Sequence, residues 1–243
     1  MARTTRAIDA NPDDAEARHQ RGHALVQLKR YEEAIADFTA ALKSKPDDFH
    51  LLASRAVAEG GRQRLDAVIA DGEAALRLRS GQPKVHELDA AVQSLAHFCN
   101  NQAWTLATGA VSDRDPARAV SLARLAVELT PDQAIYLNTL GVALYRAARY
   151  AEAVPVLKRS LAAAKGETGA FDLFFLAMAR HCLGDAASAR ADFDQAVRRL
   201  DAHPNLNARR LAGLKSFRAE AEAVLAGPSR ELPADVFAPA ASR

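Results

Sequence analysis

The sequence predicts an all-α protein, a right-handed solenoid in which helical hairpins stack one on another. Three observations predict it. Hydrophobic residues make up 49% of the 243 residues but aromatic ones only 6%, and the dominant apolar residue is alanine, the strongest helix former. Small residues recur at fixed positions of a 34-residue unit. Proline follows the second helix of some units, where it ends the helix.

The unit is clearest from Ala15 onward, in AEARHQRGHALVQLKRYEEAIADFTAALKSKPDD. Positions in the unit are numbered here as slots, with Ala15 at slot 1. Slots 8, 20 and 27 hold Gly22, Ala34 and Ala41, and slot 32 holds Pro46. Small residues are expected there because two antiparallel helices approach to about 8–10 Å only where their side chains allow it. We place five units, the second of them degraded, at residues 15–48, 49–82, 100–133, 134–167 and 170–203.

Four segments lie outside the units. Residues 1–14 match the end of a preceding unit, so we expect either a longer architecture upstream or a short N-terminal cap. Residues 83–99 form a helical insertion, and the helix is expected to run on through residue 108. Residues 204–227 form a capping helix whose charged face, including Glu220, points to solvent. Residues 228–243 form a disordered tail.

This register resembles the tetratricopeptide-repeat family, whose pattern is W-x-x-L-G-x-x-Y, A-x-x-x-F and P over 34 residues. The likeness covers about residues 15–203. The run from Asn100 is also similar to the repeat regions that follow kinase or other domains in large bacterial multidomain proteins. The resemblance implies about five repeats, a partial N-terminal repeat and a C-terminal capping helix.

Composition disfavours several other classes of protein. The net charge is +2 without a basic stripe, so we expect no nucleic-acid partner. No stretch is long and apolar enough to span a membrane, and the N-terminus lacks the apolar core of a signal peptide. Together with two distant cysteines, Cys99 and Cys182, this predicts a cytoplasmic protein.

No combination of residues predicts catalysis or a cofactor. His19 and His23 share a helical face, but the residue after His19 is Gln20, and no third metal ligand is apparent nearby. A metal protein centred on this pair is the least favoured interpretation. His97 and Cys99 point in different directions along a helix, and nothing orients a base against the thiol. The chain is therefore predicted not to be an enzyme.

The resemblance implies a concave groove lined by slots 2, 5, 6, 9, 12 and 13 of each first helix. The predicted partner-binding residues are Trp104, Thr108, Asn138, Val142, Tyr145, Arg146, Phe174, Met178 and His181. Aromatic rings next to an amide and a guanidinium are typical of a site that anchors a peptide. Phe175 is expected to pack against a neighbouring unit instead.

These features predict a protein-interaction scaffold that binds a peptide or a partner protein in the groove. The alternative is a regulatory or substrate-recruiting segment of a larger enzyme, such as a bacterial Ser/Thr protein kinase. Some family members clamp the carboxylate of a chaperone tail, but His19, His23 and Ser54 occupy the first three clamp slots here. That ligand is therefore not expected.

Overall fold

The computed structural model describes residues 1–79, 90–164, 169–202 and 207–228. Within them the chain is a solenoid of helical hairpins without a strand, which confirms the predicted fold class. The helices are α1 Ala2–Ala10, α2 Ala15–Gln27, α3 Tyr31–Ser44, α4 Phe49–Gly61, α5 Leu65–Arg79, α6 Ala90–Thr108, α7 Pro116–Leu129, α8 Ala134–Arg146, α9 Tyr150–Ala163, α10 Gly169–Cys182, α11 Ala186–Asp201 and α12 Ala208–Ala226.

The chain divides into two compact structural units, each larger than one 34-residue repeat. The first unit consists of residues 1–106 with 121–131, and the second unit of residues 107–120 with 132–243. From here on, "first unit" and "second unit" mean these two parts of the chain. In the first unit, α2 pairs with α3 and α4 with α5, and α4 also packs on α3. In the second unit, α8 pairs with α9 and α10 with α11, and α10 packs on α9. Each unit therefore repeats one arrangement, in which the first helix of a hairpin rests on the second helix of the hairpin before it.

The turn between the two helices has the same geometry in four of the hairpins. The residue at slot 15 has a left-handed φ between 57° and 82° in four hairpins, at Lys29, Gln63, Ala148 and Gly184. The amide of the next residue then donates to a carbonyl five residues earlier, as from Arg149 to Leu144 at 2.9 Å. This bond satisfies a carbonyl that the helix end would leave unpaired.

The small slots are buried where two helices meet. In the first unit, a Cβ added to Gly22 would lie 2.5 Å from Cε1 of Phe38, which is fully buried. In the second unit, a Cβ added to Gly141 would lie 2.5 Å from Cγ of Leu157. Slot 8 therefore faces the large side chain at slot 24, so a small residue there leaves room for that side chain.

The helix ends follow local signals. Asp14 and Asp48 each accept a hydrogen bond from backbone amides of the first turn of α2 and α4, which is how acidic N-caps stabilise a helix. Asp115, just before α7, likewise accepts from the amide of Arg118 at 3.0 Å. α12 ends at Ala226, with Gly227 as its C-cap.

Some expectations fall partly outside the described residues. Of the predicted insertion, residues 90–99 are described and belong to α6, while 83–89 lie outside the described residues. The tail is outside them apart from residue 228, and so is the start of the capping segment. Pro155 lies inside α9, which starts at Tyr150. None of the described helices is both long enough and apolar enough to cross a membrane.

Candidate partner-binding site

In the second unit, the guanidinium of Arg146 is held by three hydrogen bonds. Arg146 is the last residue of α8, and its side chain is only 9% exposed. Its Nε donates to the carbonyl of Ala107 at 3.2 Å. Its Nη1 and Nη2 donate to the two carboxylate oxygens of Glu220 on α12, with Nη2 at 2.7 Å. The carbonyl of Ala107 thus holds Nε, and the two terminal nitrogens of the guanidinium bind a carboxylate with two hydrogen bonds.

Aromatic rings surround this guanidinium. Its carbon atom lies 5.5 Å from the ring centres of both Tyr145 and Phe175, within the range of cation–π attraction. The two rings meet edge to face, with centroids 5.5 Å apart. Burial raises the pKa of Tyr145, so its phenol stays neutral. The arrangement pairs a charge-binding group with an apolar surface.

A second polar link joins α8 to α10. Asn138 donates through Nδ2 to the carboxylate of Asp172 at 2.8 Å, and Asp172 is 1% exposed. Burial raises the pKa of Asp172 to about 6, against the opposing effects of hydrogen bonds to Asn138 and Ser160 and of the charge on Arg199. Asn138 therefore has a partner within the fold, and its amide is engaged in positioning the helices.

Three of the predicted groove residues lie in the core instead. Val142, Phe174 and Met178 are each 0% exposed, and the ring of Phe174 contacts that of Phe193 on α11. As the structure stands, they offer no surface to a partner. The slot pattern misplaced them because a groove slot becomes interior wherever another helix covers it. His181 is 8% exposed, and its Nε2 makes no hydrogen bond to any described residue.

The other two predicted residues lie on α6. Trp104 is half-buried and belongs to the first unit. Thr108 is also half-buried and is counted with the second unit. Each has an interaction within the fold.

The capping helix corrects a prediction. Glu220 was expected on the solvent face, but its side chain is only 29% exposed and binds Arg146. Phe175 packs internally: its ring meets Tyr145 of the preceding repeat, as expected, and also Phe217 of α12 with ring centroids 5.0 Å apart. No sequence pattern indicated the ion pair, because its two residues are 74 positions apart.

The first unit carries a different polar cluster. Nε2 of His23 lies 2.9 Å from Nε2 of His19, and the hydroxyl of Ser54 lies 3.3 Å and 3.4 Å from the nitrogens of His19 and His23. Both rings meet Phe38 edge-on. At these distances one imidazole donates and the other accepts, so the accepting ring is neutral when the bond is made. The three clamp slots of this chain thus form one hydrogen-bonded cluster.

The residues considered for metal or thiol chemistry do not assemble into a group of three or more. Among the described residues, no group of three or more His, Cys, Asp or Glu side chains is arranged to hold a metal ion. His97 is exposed and bonds Asn101, while Cys99 is buried. Burial raises the pKa of the Cys99 thiol, which opposes formation of a thiolate.

Ion pairs inside the hairpins of the first unit also escaped the sequence analysis. Arg21 binds Asp37 with two hydrogen bonds of 2.7 Å. Arg55 binds Asp71 in the same way at 2.8 Å and 2.7 Å. Each arginine is at slot 7 and each aspartate at slot 23. The recurrence of both residue types after 34 positions could therefore have indicated the two ion pairs from the sequence. These pairs hold the two helices of each hairpin together.

Comparisons with known proteins agree with this fold. Two family models described as "Tetratricopeptide repeat" match residues 15–48 and residues 105–168. The first match coincides with the first predicted unit. A search of curated proteins found no match.

Among solved structures, this chain is similar to YrrB, described as a TPR protein with an unusual peptide-binding site. The identity is 16%, the TM-score is 0.55, and the match covers 88% of this chain and 97% of that one. It is also similar to a thermophilic TPR protein of Thermus thermophilus, with 18% identity, a TM-score of 0.37 and coverage of 86% and 99%. The likeness to YrrB shows the fold.

Proposed function

Because this chain is a tetratricopeptide-repeat protein, as the two family matches show, we propose that it is a protein-interaction scaffold. The proposed partner-binding face, called here the α8–α10 face, consists of Asn138, Tyr145, Arg146, Phe171 and Phe175. Phe175 is 0% and Tyr145 8% exposed, and the ring of Phe175 meets Phe217 of α12, so in this proposal a partner reaches these two rings only when α12 moves away. In this proposal the chain carries no catalytic group, and its partner is a segment of another protein. The alternative of a regulatory segment of a larger enzyme stays a prediction.

The observation that carries the proposal is Arg146. A largely buried guanidinium that is braced by a backbone carbonyl and presents two donors is a receptor for a carboxylate. Tyr145 and Phe175 supply apolar contact beside it. Arginine and aromatic residues in a desolvated setting are the side chains that dominate the energy of protein interfaces.

The experiment must allow for Glu220, which already engages Arg146. Two baits are therefore compared: Glu220→Gln, in which the guanidinium loses its charged, two-bond partner, and the double variant Arg146→Gln with Glu220→Gln. Proteins captured from a lysate are quantified by mass spectrometry. We expect partners of the single variant to be lost from the double variant.

The matched control replaces Arg149, which forms an exposed pair with Glu152 just after α8. Arg149→Gln on the Glu220→Gln background removes a guanidinium without touching the face, so capture should persist. Circular dichroism establishes that all baits are equally folded. Identical capture by the single and double variants would show that the α8–α10 face does not bind partners.

A further inference from the structure

α12 does not continue the stack in the way that the preceding hairpins do. The first helix α10 packs more extensively on α9, the second helix of the hairpin before it, than on α8. α12 does the opposite, because it packs more on α10 than on α11. It therefore lies over the first helix of the last hairpin, on the side where this family's slots line the groove.

The contacts of α12 fall on the α8–α10 face. The ring of Phe217 meets the rings of Phe171 and Phe175 edge to face, at centroid distances of 5.9 Å and 5.0 Å. Arg210, in the first turn of α12, stands over the ring of Phe171 at 5.9 Å. Phe171 and Phe175 occupy slots 2 and 6 of the last repeat, both groove-lining slots. α12 thus sits where the proposed partner would sit.

One turn beyond Phe217, Glu220 reaches past α10 to Arg146 at slot 13 of the preceding repeat. An aromatic residue and an acidic residue three positions apart lie on one side of a helix. The carboxylate occupies the two donors that define the face. α12 therefore satisfies both the apolar and the charged part of the site.

The buried part of α12 is small. Leu214, Phe217 and Ala221 are the apolar side chains of α12 that become buried, out of 19 residues in the helix. They follow the i, i+3, i+7 spacing by which an amphipathic helix enters a groove. An apolar contact of this size, together with one ion pair, stabilises docked α12 only modestly. A competing helix that makes stronger contacts can therefore displace it.

We infer that the α8–α10 face binds an amphipathic helix with an aromatic residue followed three positions later by an acidic one, and that α12 is a built-in competitor for it. The inference rests on the proposed function and adds to it the class of partner and a means of restraint. A partner helix gains access only when α12 leaves. Its apparent association constant is therefore the intrinsic one multiplied by the fraction of time that α12 is undocked.

The test uses the full chain and a fluorescein-labelled peptide of residues 207–228 as the probe, with binding followed by fluorescence anisotropy. The wild type should bind the probe weakly, because its own α12 is tethered nearby. The variant Glu220→Lys places a cation against Arg146 and should bind the probe about tenfold more tightly or better. The control Glu222→Lys removes only the exposed pair with Arg218 and should behave as the wild type does.

A charge exchange identifies the face. The variant Arg146→Glu should reject the wild-type probe and bind a probe that carries Glu220→Lys. Glu220→Lys protein should show the reverse preference. If both proteins bind both probes alike, or if Glu220→Lys binds no better than wild type, the inference is wrong.

Hydrogen exchange read by mass spectrometry gives a second outcome that needs no probe. Each single charge reversal should speed exchange in α12 while amides in α8–α11 keep their protection. The double variant Arg146→Glu with Glu220→Lys restores opposite charges and should restore protection of α12. Unchanged exchange in the single variants would make α12 a fixed part of the fold and overturn the inference.

The two proposals fail in different ways. If capture depends on Arg146 but Glu220→Lys changes neither probe binding nor exchange, the scaffold stands and only the competitor role of α12 is lost. If α12 and the probe behave as expected but capture does not depend on Arg146, the face is an internal docking site and the proposed function is lost.

Discussion

Replacing Asp172 with asparagine should stabilise the protein at neutral pH and have little effect near pH 3.5. Asp172 is 1% exposed between α8, α9 and α10, and burial raises its pKa to about 6. Asparagine has nearly the same shape, and its Oδ1 can still accept the 2.8 Å hydrogen bond from Asn138. Its new amide can donate to the hydroxyl oxygen of Ser160, which itself donates to the carbonyl of Ala134.

The magnitude follows from the shift of the pKa. The ordinary value is 3.8 and the folded value about 6, a difference of about two units, or about 3 kcal/mol at 1.36 kcal/mol per unit. The folded protein holds the proton more tightly than the unfolded chain does. Stability from this group is therefore complete below the unfolded pKa and is lost as the pH rises from about 4 through about 6.

The measurement is urea denaturation, followed by circular dichroism, of wild type and Asp172→Asn between pH 3.5 and pH 7. Only the difference between the two free energies of unfolding is used, because other carboxylates cancel in it. The difference should grow in favour of the variant by about 3 kcal/mol, or about 1 M in urea midpoint. A difference that stays flat or shrinks as the pH rises refutes the reasoning.

Asp185 provides a control of opposite sign. It caps α11, accepting from the amide of Ser188 at 3.1 Å. Hydrogen bonding by the Ser188 side chain, and next by this amide, lowers the pKa of Asp185. Stability from Asp185 is therefore present above its ordinary pKa and is lost as the pH falls. Asp185→Asn should show a small pH-dependent difference in the direction opposite to that of Asp172→Asn.

Three further substitutions test the packing. Gly141→Leu should destabilise the second unit by about 1–3 kcal/mol, because its side chain would overlap Leu157; thermal unfolding measures the loss. Asp37→Ala should cost about 2 kcal/mol in urea denaturation, somewhat less than for a fully buried pair, because Arg21 keeps 23% of its side-chain exposure. Ala148→Gly should stabilise the protein by about 0.5–1 kcal/mol in the same assay, because alanine is strained at the φ of 57° there.

Each of these has its own check. Leu157→Ala on the Gly141→Leu background should recover part of the lost stability if the overlap is the cause. Arg21→Ala together with Asp37→Ala should cost less than the sum of the two single changes, since the charges are paired. Gly184→Ala, at the equivalent turn, should destabilise, since the φ of 82° there suits glycine. The opposite sign in either turn would show that the left-handed geometry is misassigned.

The fold was largely readable from the sequence because its determinants are local and recur. A helix boundary depends on a few neighbouring residues, such as Asp115 with Pro116 or the glycine at position 227. Gly22 and Gly141 mark the same slot in two hairpins, since close helix packing imposes the same steric limit in each. The left-handed turn residue was missed because only one of its four examples, Gly184, is a glycine.

The candidate site was less predictable. Slot numbers place Tyr145, Arg146 and Phe175 on the first helices of their hairpins, but slots do not say which of them another helix will cover. The family pattern by itself assigned Met178 to a groove, whereas burial assigns it to the core.

The amino-acid sequence alone specifies the repeating hairpin, its helix caps and the small residues at the helix contacts. All of these depend on spacing within about 34 residues. Only the tertiary structure decided that α12 turns onto α10 and that Glu220 meets Arg146. That contact joins residues 74 positions apart, and a pairing of this kind depends on the path of the whole second unit, which no periodic pattern encodes. The physical reason is that helix formation is a local equilibrium, while the choice of packing partner is made among all the surfaces that folding brings together.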